Sequence, residues 1–240
     1  MACGPRPVHR RTEEVPSLPK SPTRRRPITR AALTDSALAL FTEKGFHATS
    51  ISDIVERAGL TRGAFYSNYR DKEELFLALY DAHTERLLSE LREAATAPPP
   101  EPASGTDSAS ASGSGSGSGV HPVMQLHERV TGRTPQERQW FMVSMEFTLH
   151  AARHPEVARA LAVHENRLTE GLAEVVTTAL AGAGRRPDLA PEDLARLLVA
   201  AFEGLTARQL VHGTGEPTER LLTHLMNALS APLGPSDEGQ

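Results

Sequence analysis

Residues 49–75, TSISDIVERAGLTRGAFYSNYRDKEEL, constrain the fold more tightly than any other stretch of the chain. They read as a helix, a tight turn, a short second helix and the start of a longer third one. Thr49 or Ser50 can cap the first helix, because a side-chain oxygen there satisfies N–H groups that have no partner in a first turn. Ile51, Ile54, Val55 and Ala58 follow at i, i+3, i+4 and i+7 and give it one apolar face. Gly59 stops it where a left-handed backbone is easiest, and Leu60 packs the turn. Thr61 caps the second helix, and Asp71 caps the third, with Glu74 three residues on for a capping box.

Two short helices joined by a glycine turn form a helix-turn-helix, whose second helix can enter the DNA major groove. Phe65 and Tyr69, four apart, are expected to face inward, leaving Thr61, Arg62, Gly63, Tyr66, Ser67 and Asn68 at the end and outer side. Arg62 suits bidentate pairing with guanine, Tyr66 reaches phosphate or a thymine methyl, and Gly63 admits close backbone approach. Lys72 adds a cation for a phosphate beside the N–H groups of the following helix. Thr49, Ser50, Ala64 and Tyr69 complete the set expected at the duplex. The bland alternative is a helical hairpin with a solvated polar face.

From Ile28 to Leu79 the chain resembles the TetR family of one-component bacterial regulators, through ITRAALTDSALALFTEKGFHATS and DIVERAGLTRGAFYSNYRDKEELF. The family commonly shows Tyr-x-His-Phe-x-x-Lys at the end of its recognition helix. Here the frame is Tyr66, Asn68, Tyr69 and Lys72, so Asn replaces His and Tyr replaces Phe as the aromatic plug. The resemblance implies an all-α, two-domain homodimer that reads a palindromic operator on double-stranded DNA and encloses a small-molecule effector. No cofactor is implied.

The remaining segments are assigned in that frame. Residues 1–27 carry seven Lys/Arg, among them Arg24, Arg25 and Arg26, against Glu13 and Glu14, and six prolines. They are expected to be a disordered basic arm, either inert or lying on phosphates beside the recognition helix. Residues 28–75 form the helix-turn-helix domain, in which Leu33, Ala37, Leu40 and Phe41 of a first helix ending at Gly45 close a small three-helix core. Residues 76–96 continue the third helix as a connector. Residues 97–122, Pro-rich and then alternating Gly and Ser, hold no sizeable apolar cluster and are expected to be a disordered linker or loop. If they loop out, Leu87, Leu88 and Leu91 of the connector carry the contact with the helices beyond.

Residues 123–233 read as helices throughout, with no convincing strand, and 234–240 as a tail. A helix from Gln136 to Arg153 is apolar on most sides. Trp140, Ser144 and Phe147 share one of its faces, with Phe141 and Met145 on the next. The resemblance implies that these five line the effector cavity; plain core packing is the competing reading. Glu146 and His150, four apart, read either as polar anchors for a ligand or as an exposed pair. Pro191–Leu210 and Pro217–Ser230 would pair with their symmetry mates, through Leu194, Leu198, Phe202, Leu221, Leu225 and Leu229.

Composition narrows the function class. No apolar run is long enough to span a bilayer, and the N-terminus has no apolar signal core. A single cysteine, Cys3, suits a reducing cytoplasm. None of the ten histidines sits at metal-ligand spacing, and no nucleophile elbow or dinucleotide turn is present. The sequence thus predicts a cytoplasmic, non-enzymatic transcriptional repressor released by a small-molecule ligand. An activator of the same fold, or a helical binding or enzymatic protein with an unused helix-turn-helix, remains the alternative.

Overall fold

The computed structural model describes residues 22–96, 134–213 and 218–233. The arm before Pro22, the expected 97–122 linker and the 234–240 tail lie outside them. Helix α1 runs Pro22–Lys44, α2 Ile51–Arg57, α3 Arg62–Tyr66, α4 Lys72–Thr96, α5 Pro135–Ala151, α6 Pro155–Gly182, α7 Pro191–His212 and α8 Thr218–Ala228. The start of α1 corrects the sequence expectation: Arg24, Arg25 and Arg26 belong to the helix, with Pro27 inside it. Pro27 removes one backbone bond near the N-terminus, where few are formed, and the arginines before it are good helix formers.

Local chemistry sets the head of the molecule. The Ser50 hydroxyl accepts from the Asp53 N–H while the Asp53 carboxylate accepts from the Ser50 N–H, a complete capping box. Gly59 takes φ +63° just past α2, and Thr61 caps α3 by accepting from the Ala64 N–H. Asp71 caps α4 as expected, but Glu74 reaches back to the Arg70 N–H rather than to that of Asp71. Thr49 is not the α2 cap; it is buried and donates to the Gly45 carbonyl.

The head does not close its core with three helices alone. Leu33, Ala37 and Phe41 of α1, Phe46, Ile54, Phe65 and Leu75–Leu77 share one cluster with Val143, Phe147 and Ala151 of α5 and Leu161 of α6. Phe147 stacks on Phe76 at 4.1 Å and meets Phe46 edge-on at 5.0 Å. Helix α4 then lies along α6. Leu91 packs with Val175 and Ala179, flanked by Leu87 and Leu172. Leu88 fills the space over Gly171, where an added Cβ would stand 2.4 Å from a Leu88 methyl.

A third cluster joins Val176, Leu180, Leu194 and Met226, with Leu198 and Leu229 against it. Three of the six leucine and phenylalanine positions expected at a symmetric interface, Leu194, Leu198 and Leu229, therefore pack within the protomer. Two three-residue strands, β1 Arg185–Pro187 and β2 Ser230–Pro232, pair antiparallel, with Arg186 opposite Ala231. They correct the expectation of no strand. The pairing is pinned by Arg185, which donates to the Ser230 hydroxyl at 2.9 Å and the Ser230 carbonyl at 2.5 Å.

The α4–α6 approach makes a measurable prediction. Gly171→Ala gains helix propensity but overpacks Leu88, so it should lose about 1 kcal/mol of stability in urea unfolding. In a Leu88→Ala background, with the methyls gone, the same substitution should gain roughly 0.5–1 kcal/mol.

Candidate nucleic-acid interface and internal cavity

Helix α3 is seated by Phe65, which is fully buried, so its outer side is left to carry polar groups. Thr61, Arg62, Gly63, Tyr66 and Ser67 are exposed there, Tyr66 at 56%. The Arg62 guanidinium reaches across the turn to the Ser52 hydroxyl, which places it at the junction of α2 and α3. Ser67 turns its hydroxyl back to the Gly63 carbonyl at 2.8 Å. Ser50, also exposed, spends its hydroxyl on the α2 cap, and Ala64 is partly covered. Lys44 pairs with Asp53 at 2.8 Å, and this partner pulls the Asp53 carboxyl down to about 2. Of the arm arginines, Arg26 is exposed at the start of α1.

Four of the residues expected at the duplex are turned inward, Tyr69 as its spacing from Phe65 predicts. Tyr69 is 2% exposed, with the Arg30 guanidinium 4.5 Å over its ring and no hydrogen-bond partner for its hydroxyl among the described residues. Thr49 is buried in the turn before α2. Asn68 donates its amide to the Ala64 carbonyl at 2.8 Å and leaves its Oδ1 unpaired. Lys72 donates to the carbonyls of Phe46 and Thr49, at 2.7 and 2.8 Å, with its ammonium 4.2 Å over the Phe46 ring. Burial pushes its pKa down. Two of its three N–H groups hold the α1–α2 turn, so it acts first as an internal tie.

A cavity of about 1020 Å³ opens between α1, α4, α5, α6, α7 and α8. Trp140, Phe141, Ser144 and Met145 line it; Phe147 does not, being fully buried in the aromatic core. Phe202, expected at a dimer contact, faces the cavity with Leu198 and meets Phe141 edge-on at 6.5 Å. Trp140 stacks on Phe76 at 5.6 Å and on His83 at 4.7 Å, so cavity wall and head core share one aromatic series. Sequence reasoning missed the polar wall: Tyr80, His83, Glu165 and Glu203. Burial drives His83 down to about 4, helped by the Arg86 charge, so it is neutral near pH 7. Burial raises the Glu165 and Glu203 carboxyls, Glu203 further through the Glu165 charge. Burial and both glutamates raise the Tyr80 phenol. Glu165 is exposed by surface area although it stands in the cavity wall, so its carboxyl is only partly shielded from solvent.

Glu146, between cavity and head, is neither a ligand anchor nor a free surface group. Its carboxylate accepts from the Phe46 N–H at 2.8 Å and fills the place a Cβ on Gly45 would take, 2.8 Å from its oxygen. Gly45 also has φ +86°, which itself favours glycine. His150 lies 3.3 Å from Glu73, out of hydrogen-bond geometry, and its ring meets that of His154 at 4.2 Å, tilted by 32°. Among the described residues no cluster of His, Cys, Asp and Glu can hold a metal ion, and no helix is long and apolar enough to cross a membrane.

Residues 33–79 match the family described as bacterial regulatory proteins, tetR family, and residues 123–234 match the BetI-type transcriptional repressor, C-terminal, family. The HTH-type transcriptional activator FasR of Mycolicibacterium smegmatis is 34% identical over 65 residues, 27% of this chain and 30% of the relative. The HTH-type transcriptional regulator UidR of Escherichia coli K12 is 25% identical over 179 residues, 75% of this chain and 80% of the relative. Across FasR and four further curated relatives the chain spans only 25–41% of their length. The solved structure of Salmonella enterica GusR superposes with TM-score 0.60 at 23% identity, covering 84% of this chain and 95% of that one, a likeness of fold.

The inward-facing residues separate stability from surface roles. Lys72→Ala should cost about 1–3 kcal/mol in chemical unfolding, because it strips the ion from two turn carbonyls. Tyr69→Phe should leave stability unchanged or raise it by about 1 kcal/mol, since it removes a buried unpaired hydroxyl. Arg62→Ala, at an exposed site, should stay within about 0.5 kcal/mol.

Proposed function

The chain belongs to the TetR family of bacterial regulatory proteins, and from that premise we propose that it is a DNA-binding transcriptional repressor released by a small-molecule effector. The observation that carries the reading is the exposed outer side of α3, with Arg62, Tyr66 and Ser67 on a helix seated by a fully buried Phe65. A rigid seat beneath projecting donors is what base readout requires. Arg62 would read a base, most simply guanine. Tyr66, Ser67 and the Thr61 end of the helix would fix register on phosphates, and the third N–H of Lys72 remains available for one.

The protein would act as a homodimer in the cytoplasm, without catalysis. Its interface would not use the leucines that face the third core cluster. Leu197, Ala200, Gly204, Ala207 and Val211 form an exposed stripe along α7, and Leu221 is exposed on α8. Small residues in such a stripe let two helices approach closely, and an isologous contact would present two α3 helices to a palindrome. Ligand in the cavity would bear on α5 and, through Glu146 and the Phe147 ring, on the α1–α2 turn. Binding that differs between two positions of α5 is all that release requires.

Selection of bound duplexes from random or genomic DNA tests the reading. An inverted repeat should be enriched, and no enrichment at any salt concentration would refute it. Arg62→Ala should cost roughly 1–3 kcal/mol on the selected duplex and relax preference at one base of each half-site. Leu197→Glu or Leu221→Glu should sediment as a folded monomer with half-site affinity only. A stable dimer in both would place the interface elsewhere. Expression from a promoter bearing the selected site should rise when the protein is removed; a fall would make it an activator.

A further inference from the structure

We propose that the cavity takes an organic cation with a large apolar body, its charge held between Glu165 and Glu203 and its body against Phe141, Phe202 and Leu172. This inference rests on the regulator reading and specifies the chemical class of its effector.

The cavity carries the argument, and its charge chooses the class. Its walls are largely apolar: Leu38, Leu87, Leu172, Leu198 and Met226 meet the aromatic rings of α5 and α7. At about 1020 Å³ it is at the upper end of the range that accepts drug-sized ligands. Among the described residues five carboxylates line it, Asp35, Glu90, Glu137, Glu165 and Glu203, against one guanidinium, Arg86, and no lysine. Glu137 is spent on the α5 cap, and Arg86 is exposed beside the His83 ring at 3.4 Å. The neutral His83 adds no positive charge. An anionic effector would meet net negative charge and a single cation, Arg86, among the described lining residues.

Glu165 of α6 and Glu203 of α7 differ from the others. They come from different helices yet line the same cavity as the Tyr80 phenol of α4, and the Glu165 charge acts on both Glu203 and Tyr80. Among the described residues neither makes an ion pair or side-chain hydrogen bond. Two like charges facing one cavity, Glu203 partly out of water and neither with a counter-ion among the described residues, disfavour the ligand-free state. A cation between them relieves both the repulsion and the lost solvation. The Tyr80 ring, raised in pKa and so neutral, adds a quadrupole to the same site.

Tetraphenylphosphonium and tetraphenylborate test the proposal, because they share size and shape and differ in sign of charge. Calorimetry on the full-length dimer should show the phosphonium binding at least tenfold tighter than the borate. Glu165→Gln and Glu203→Gln should each weaken the phosphonium about tenfold or more, as loss of a charged partner does. Both variants should melt higher than the parent without ligand at pH 7. That gain should shrink as pH falls and vanish only well below the ordinary Glu value of 4.5, where the carboxylates are protonated in the folded and the unfolded chain alike. Equal or tighter borate binding, unchanged phosphonium affinity in both variants, or no binding of either ion would overturn the proposal. The selected duplex is titrated on the same preparations. A protein that binds duplex but not the phosphonium loses only this inference, whereas one that binds the phosphonium but no duplex loses the regulator reading and keeps its cation site.

Discussion

The face-to-face contact of Phe76 with Phe147 is the interaction on which the rest of the structure depends. Phe76 follows the reading helix by one turn of α4, and Phe147 belongs to the helix that walls the cavity. Stacked aromatic pairs contribute about 0.5–1.5 kcal/mol beyond the area they bury, and this pair is extended by Phe46, Phe41 and Trp140. One core therefore supports two surfaces, the outer side of α3 and the inner side of α5. Neither can be repacked without disturbing the other, because close-packed interiors transmit displacement rather than absorb it.

What was legible in the sequence was what is decided locally. Ser50 with Asp53, Gly59 at positive φ and Thr61 with Ala64 are each settled within four residues, and the helix-turn-helix could be read from them. Polar residues whose partners lie far off were misplaced. Lys72 meets carbonyls 26 and 23 residues away, and Glu146 an N–H 100 residues away, distances that no periodicity encodes. Helix α7 shows a further limit. It is apolar or small on nearly every side, so Leu194 and Leu197 look equivalent in the sequence. Only the position of α6 and α8 decides that Leu194 is core and Leu197 is surface. The two strands were hidden for a different reason: three residues with a proline in each give no alternation to detect.

The polar wall of the cavity escaped sequence reading because charged residues are ordinarily surface residues. Glu165 and Glu203 fall at polar positions of amphipathic helices and look like any solvated pair. Their neighbours across the fold make them unusual. A chain selected for stability alone would place neutral side chains there, so departure from the local rule marks where folding and binding make opposing demands. Phe147 erred in the opposite direction: its aromatic ring suggested a ligand wall, but the nearest rings are those of the head.

The contact between Glu146 and Gly45 bears on how such proteins can be recombined. A chimera that joined the head of one regulator to the body of another within the stretch after α4 would treat the two as exchangeable modules. Here the carboxylate of the body occupies the space of a side chain missing from the head and closes its first turn. A borrowed head would need glycine at the matching position, a free N–H one residue on, and a ring to meet Phe147. The transferable unit is therefore the first four helices together with the inner side of the fifth, and the natural crossover lies within the body rather than at its border.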